Sequence, residues 1–268
     1  MHRRTFARVA LAALLAIPPL AGCVSGSATV APEVQRVLAP SGRLRVGLYV
    51  GSPTSLVGDP AEPSAKGIGL DLGRDLARRL GVPFEPVVFP RNDDVQRAAK
   101  EGRVDVVFTN ATPARAADLH FTSQFLEVEQ GYLVPPGSAV VKMAELDSTG
   151  TRIGVSQGST SERVLGRELR AASVVPTPSI AGAIEMLRNG RLEAFATNKA
   201  VLFEMFDQLP GSRVLAERWG TESFAAGIPK GRGAAMPTLQ RSLDDIRAEG
   251  VVARAVARAG VRGTDVGK

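Results

Sequence analysis

Cysteine occurs once in this 268-residue chain, at Cys23, and histidine only twice, at His2 and His120. One thiol and two distant imidazoles exclude a disulfide framework and any nitrogen or sulfur metal site, so neither a metal nor a cofactor is expected. GVSQG (154–158) has the G-x-S-x-G spacing of a nucleophile elbow, but no histidine follows Ser156, which removes the hydrolase that spacing suggests. No catalytic residue is expected. Aromatic residues make up 5% of the chain and no basic stripe is interleaved with them, which excludes nucleic acid as a partner. Three of the six net positive charges belong to Arg3, Arg4 and Arg8, so the chain beyond residue 22 carries only about +3. No segment reaches the roughly 18 consecutive apolar residues of a membrane-spanning helix.

What is present is an ordinary globular composition, 44% hydrophobic and 22% charged, long enough for two lobes of roughly 100 residues each. The chain begins MHRRTFARVALAALLAIPPLAGC: a basic start, an apolar run over residues 9–17, and small residues before Cys23. This predicts a secretory signal over residues 1–22, with Arg3 and Arg4 also faintly resembling a twin-arginine signal. LAGC (20–23) resembles a lipobox, in which the cysteine is acylated and becomes the new N-terminus; a lone cysteine in an exported chain has no disulfide partner, so lipidation accounts for Cys23. Residues 23–40 read as a lipidated N-terminus and tether. The expected location is periplasmic or otherwise extracytoplasmic, with a lipid holding the chain to a membrane.

The stretch GRVDVVFTN (102–110) returns as GRLEAFATN (190–198), each copy following a helical run. Two halves are therefore built alike, each with a buried strand ending in Thr-Asn, and open α/β sheets bind ligands at such carboxyl ends of strands. Around the first copy the pattern is β-α-β-α-β: RLRVGLYV, a helix with Leu72, Leu76 and Leu80 at helical spacing, FEPVVF, DDVQRAAKEG and VDVVF. The second half repeats it from TRIGVS to LEAFAT. ESFAAGIPKGRG (222–233) reads as a return strand, followed by amphipathic helices expected to pack on the first lobe. The fold class is α/β, with residues 41–132 and 226–268 in lobe 1, 137–222 in lobe 2, and two hinge crossings near 132–137 and 222–230. Such a molecule closes on a small ligand, and Trp219, the only tryptophan, is expected to report closing. Thr112 reads as an N-cap and Pro113 as a first helical residue, which places Arg115 in the first turn of a short helix as the candidate anion grip.

In this order, GRLRVGLY, GIGLDLGRDLARRLG, EGRVDVVFTNATPARAADLHFTSQFL, TRIGVSQGSTSERVL, NGRLEAFATNKAVLF and FAAGIPKG resemble the family 3 bacterial extracellular solute-binding proteins, the amino-acid-binding type that serves ABC importers. The resemblance implies the two-lobed type II periplasmic-binding-protein fold, each lobe a small, mostly parallel sheet flanked by helices. It implies no enzymatic activity. Partners would be a small-molecule ligand bearing a carboxylate, the importer's membrane subunits, and the membrane through the N-terminal lipid, with the protein itself a monomer. It also implies that Arg115 clamps the carboxylate and that Ser159 and Thr160 offer hydroxyl and backbone donors; Thr109 and Asn110 follow as neighbours on the same strand end. Departures stand at Asn198, where an Asp for the ligand's ammonium is expected, at Asn92, where an aromatic is usual, and at Tyr49, which replaces a first-strand Asp. With Asn198 uncharged, the expectation is a small carboxylate with a neutral polar end, or an amino acid held with its amine partly hydrated, in preference to lysine, arginine or histidine, unless Asp71, Glu193 or Glu222 reaches in. Two alternatives remain open: a ligand sensor for a membrane receptor, and a cyclohexadienyl dehydratase-like enzyme with Glu162 as its acid.

Overall fold

The computed structural model describes residues 31–265, so the expected signal sequence, Cys23 and the start of the expected tether lie outside the described residues. The chain runs α1 Pro32–Leu38, β1 Leu44–Tyr49, α2 Ile68–Leu80, β2 Phe84–Phe89, α3 Asn92–Lys100, β3 Val106–Asn110, α4 Pro113–Ala116, β4 Leu119–Phe121 and β5 Leu126–Val134. It continues with β6 Arg152–Ser156, α5 Thr160–Glu168, β7 Ser173–Thr177, α6 Ile180–Arg188, β8 Ala194–Asn198, α7 Lys199–Gln208, β9 Arg213–Val214, β10 Gly220–Pro229, α8 Met236–Ala248, α9 Val251–Ala259 and β11 Thr264–Asp265. The strands form one sheet path, β2-β1-β3-β10-β5-β8-β6-β7, with β4 on β10 and with β9 and β11 on β5.

That order is nearly symmetric about its centre. In each half the first strand lies between the second and third in parallel, and the third, carrying the repeated motif, pairs antiparallel with a crossing strand: β3 with β10, β8 with β5. The two crossing strands pair with each other over Leu126–Phe224 to Gln130–Gly220. This lies earlier on β5 than the expected 132–137, because Gly131, Tyr132 and Leu133 already pair with β8 of the second half.

The acid of each repeat turns out to be structural. Asp105, fully buried, accepts from the Arg45 backbone N–H at 2.8 Å and from the Arg45 and Arg232 guanidiniums at 2.7 and 2.6 Å. Glu193 accepts from the Arg152 N–H at 2.7 Å and from the Arg152 guanidinium. Arg45 and Arg152 also donate to the carbonyls of Gly102 and Gly190, at 3.0 and 2.7 Å. A guanidinium at the start of each first strand thus ties the turn before the third strand, and the duplicated Gly-Arg-x-acid spacing serves the sheet rather than a ligand.

Lobe 1 is cored by the apolar faces of α2, α8 and α9 over β1 and β3, as the amphipathic pattern requires: Leu72, Leu76, Leu239, Leu243, Val252 and Val256 meet Leu44, Val46 and Val106. In lobe 2, Ile184, Leu187, Phe195, Leu202 and Met205 fill one side, and Val134, Ile153, Val155 and Leu165 the other. Two details correct the sequence-based expectation. Residues 32–38, assigned to the tether, are α1: Leu38 is fully buried in the lobe 1 core and Gln35 donates to the Leu80 carbonyl at 2.9 Å. After α9 the chain crosses the hinge again, with Arg262 donating to the Phe203 carbonyl on α7 at 2.8 Å and to Asp207 at 2.6 Å before β11 adds to β5.

Candidate functional site

All of β3 and β8 is buried, so their terminal Thr-Asn pairs place hydroxyls and amides inside the molecule, where each must find a partner. At the end of β3, Thr112 caps α4 by accepting from the Arg115 N–H at 3.3 Å, and the Arg115 side chain folds back over the strand. Its Nη1 donates to Thr109 Oγ1 at 2.7 Å and to the Asn110 carbonyl at 3.2 Å. Arg115 is only 8% exposed, yet among the described residues no carboxylate lies within 4.0 Å of it. Burial draws its pKa down, opposed chiefly by the Glu222 carboxylate, while Arg163 adds to the depression. A guanidinium titrates so high that it stays charged, so the structure holds a desolvated cation waiting for an anion.

The second lobe contributes helix caps. Ser159 Oγ caps α5 by accepting from the Glu162 N–H at 3.1 Å, and Asn198 Oδ1 caps α7 by accepting from the Val201 N–H at 3.1 Å. Thr160 Oγ1 accepts from Asn110 Nδ2 at 2.7 Å, a direct bond between lobes. Other contacts close the same gap: Arg91 reaches Gln157 at 3.4 Å, Lys66 reaches Glu204 at 3.4 Å, and Gly158 packs against Asp93. Gly158 has φ +73°, and a Cβ there would lie 2.5 Å from that of Asp93, so only glycine permits this approach. The lobes are closed on each other.

Between them is a small cavity of ≈ 30 Å³ lined by Tyr49, Asn92, Thr109, Asn110, Ser159, Thr160 and Asn198, with Phe108, Ile180 and Phe224 as apolar walls. Seven of the eight residues expected at the site from the sequence meet here. The eighth, Arg115, lines an adjoining outer cavity of ≈ 450 Å³ that shares Ser159 with the inner one and includes Gln96, Glu162 and Arg163. Asn92 is the first residue of α3 and is held by Gln96 at 3.2 Å, so the position of the usual aromatic carries an amide instead. Burial pushes the Tyr49 hydroxyl up, and the Glu222 charge adds to it, while Ser52, Thr54 and Arg115 ease it.

Glu222, absent from the expected site, is the residue that changes the chemistry. Its carboxylate lines the inner cavity, accepting from Asn110 Nδ2 at 2.9 Å and from Asn198 Nδ2 at 3.3 Å, one amide from each lobe. The expectation that no acid reaches in is thereby corrected. The other two candidates are committed elsewhere: Asp71 pairs with Arg258 on the lobe 1 helices and Glu193 with Arg152. Burial pushes the Glu222 carboxyl above its ordinary value, opposed by the Arg115 charge and by the Asn198, Gln130 and Thr160 side chains. The available signal was strand phase: Glu222 and Phe224 are two apart on β10 and face the same cavity, and Ser223 between them bonds outward to Glu127.

Among the described residues there is no group of His, Cys, Asp and Glu able to hold a metal, and no helix long and apolar enough to cross a membrane. Glu162 binds the Gly158 N–H at 2.6 Å and lies at the outer cavity.

Comparison with known proteins is consistent in fold and kind. The sequence model of the bacterial extracellular solute-binding proteins, family 3, matches residues 44–259. The ABC transporter glutamine-binding protein GlnH of Bacillus subtilis (strain 168) is 23% identical over 252 residues, covering 90% of this chain and 92% of the relative. The glutamine-binding protein of Geobacillus stearothermophilus is 24% identical over 251 residues, covering 86% and 95%. Among solved structures, an ancestral amino acid-binding protein that is a precursor of cyclohexadienyl dehydratase superposes with a TM-score of 0.73 at 23% identity, covering 84% of this chain and 98% of that one. The fold is that of the type II periplasmic binding proteins.

Proposed function

The chain belongs to the bacterial extracellular solute-binding proteins, family 3, and from that premise we propose that it captures a small amino-acid-like ligand bearing a carboxylate and presents it to an ABC importer. The observation that carries the reading is Arg115: a buried guanidinium with no carboxylate partner among the described residues, held in place by Thr109 and Asn110 beside the interlobe cleft. A planar guanidinium meeting two carboxylate oxygens recovers the desolvation cost of both groups. Arg115→Lys keeps the charge and loses the fork, so calorimetry should show affinity weakened by about 1.5–3 kcal/mol. Undiminished affinity removes Arg115 from the site.

Binding rather than catalysis is favoured by the relatives, whose names are those of binding proteins, and by Glu162, whose carboxylate is engaged with the Gly158 N–H at the outer cavity. Turnover of prephenate or arogenate would contradict this. The anchor is proposed at Cys23, the lone cysteine, within LAGC. Acyl chains hold a protein to a membrane without a spanning helix, and intact-mass measurement of the membrane fraction checks it, an unacylated wild-type chain counting against it.

A further inference from the structure

We infer that Glu222, on the crossing strand β10, and not the residue at the end of β8, receives the ammonium group of an amino-acid ligand, which is thereby held as a zwitterion between Glu222 and Arg115. The inference rests on the solute-binding reading and assigns the end of the site that reading leaves open.

Four observations carry it. Glu222 is placed in the cleft by strand phase, sharing its face of β10 with the buried Phe224. Its two oxygens accept one amide N–H each, from Asn110 at 2.9 Å and Asn198 at 3.3 Å, and among the described residues no cation lies within 4.0 Å. The Gln130 and Thr160 side chains also stand against the carboxylate, so its immediate neighbours are neutral polar groups and none of them supplies a positive charge. Asn198, where the family resemblance leads one to look for an ammonium partner, carries no charge, and its Oδ1 already accepts from the Val201 N–H in capping α7. The negative charge that an ammonium needs stands instead on the residue that Asn198 supports.

Complementarity then selects the ligand class. Arg115 and Glu222 are opposite charges that both bond to Asn110, the guanidinium at its carbonyl at 3.2 Å and the carboxylate at its side-chain amide at 2.9 Å, and yet they are not paired with each other. A plain carboxylate would satisfy Arg115 and leave Glu222 desolvated; a plain amine would do the reverse. A zwitterion neutralises both, and because β10 crosses between the lobes, its ammonium is gripped at the hinge rather than by either lobe alone. Of the two ligand kinds expected from the sequence, this selects the amino acid over the carboxylate with a neutral polar end.

Matched pairs of probes test the inference by calorimetry and thermal shift on the purified chain: the twenty L-amino acids, and for each one that binds, the same carboxylate lacking its amine, such as propanoate for L-alanine or 4-carbamoylbutanoate for L-glutamine. Wild type should prefer the amino acid by about 10-fold or more. Glu222→Gln should bring the amino acid down to the affinity of its amine-free partner, and Glu222→Asp should keep part of the preference; the melting temperature of each empty variant controls for folding. An amine-free probe bound as tightly as its amino acid, or a preference intact in Glu222→Gln, overturns the inference while the carboxylate reading stands. Conversely, unchanged binding in Arg115→Lys with the Glu222 preference intact sinks the carboxylate clamp and leaves this assignment. A wild-type chain that binds neither series overturns both.

Discussion

At the scale of single residues, this cleft is governed by which polar atoms are already used. Asn198 illustrates the point: Oδ1 caps α7 and Nδ2 donates to Glu222, so the side chain supports the carboxylate and carries no charge of its own. Aspartate caps a helix as well as asparagine does, so Asn198→Asp isolates the electrostatic consequence, a second carboxylate facing Glu222. The sign follows from Glu222, whose carboxyl is already pushed up by burial with Arg115 and Tyr49 as the charged or titratable groups facing it. A carboxyl with a raised folded pKa contributes stability that is fully present below its unfolded value, about 4.3, and lost as pH rises through the folded value. The empty variant should therefore melt with the wild type near pH 4 and fall behind it at pH 7, by about 1–3 kcal/mol. A deficit independent of pH would mean that the change acts on packing and not on charge. Glu222 itself stood in plain view in the sequence as the first residue of the predicted return strand; what was missing was the phase of that strand, since a one-residue slip sends every side chain to the opposite face.

At the scale of elements, local pattern and structure agree closely where periodicity is strong. Leu72, Leu76 and Leu80 delivered α2, and Gly81, in the left-handed region at φ +67°, ends it. The later part of the expected tether, residues 32–38, departs from expectation for a tertiary reason: PEVQRVL is short and carries no capping side chain, yet it folds as α1 because Leu38 finds a fully buried place in the lobe 1 core. The turn from β6 into α5 is the element most exposed to test. Gly158→Ala introduces a Cβ against Asp93 of the opposite lobe in the closed form, and overpacking of this kind costs about 1–3 kcal/mol. Calorimetric affinity should fall by that amount, whereas unfolding free energy should change by only about 1 kcal/mol from the strained φ. Equal losses in both would show that the contact does not belong to closure.

For the whole molecule, the closed form is held by few polar contacts, Asn110 to Thr160, Lys66 to Glu204 and Arg91 to Gln157. Partly exposed pairs such as Lys66–Glu204 are worth about 0–1 kcal/mol, so the ligand must supply most of the bias toward closure. Small-angle scattering should show the molecule compacting when the amino acid selected by the probe panel is saturating, and at 100 times its dissociation constant the ligand should add about 2.7 kcal/mol of stability. An unchanged radius of gyration counts against a closing cleft. Trp219 is a poorer reporter than its position suggested, because its indole donates to Gly131 at 3.1 Å and packs in the lobe 2 core, so it travels with one lobe.

The sequence by itself determined the two-fold repeat, the α/β order and the capping turn that carries Arg115, because each is written in local spacing: alternation, helical periodicity, and Gly or Pro at turns; the seven residues that line the inner cavity came instead from the family resemblance. Only the tertiary structure decided which acid serves the cleft. Asp105 and Glu193, the acids of the repeat itself, are consumed by arginines at the strand starts, while Glu222, outside any motif, is turned inward. That outcome depends on pairing partners and strand phase across the hinge, which are set by contacts between Leu126–Gln130 and Gly220–Phe224, residues some ninety positions apart whose register no local pattern encodes.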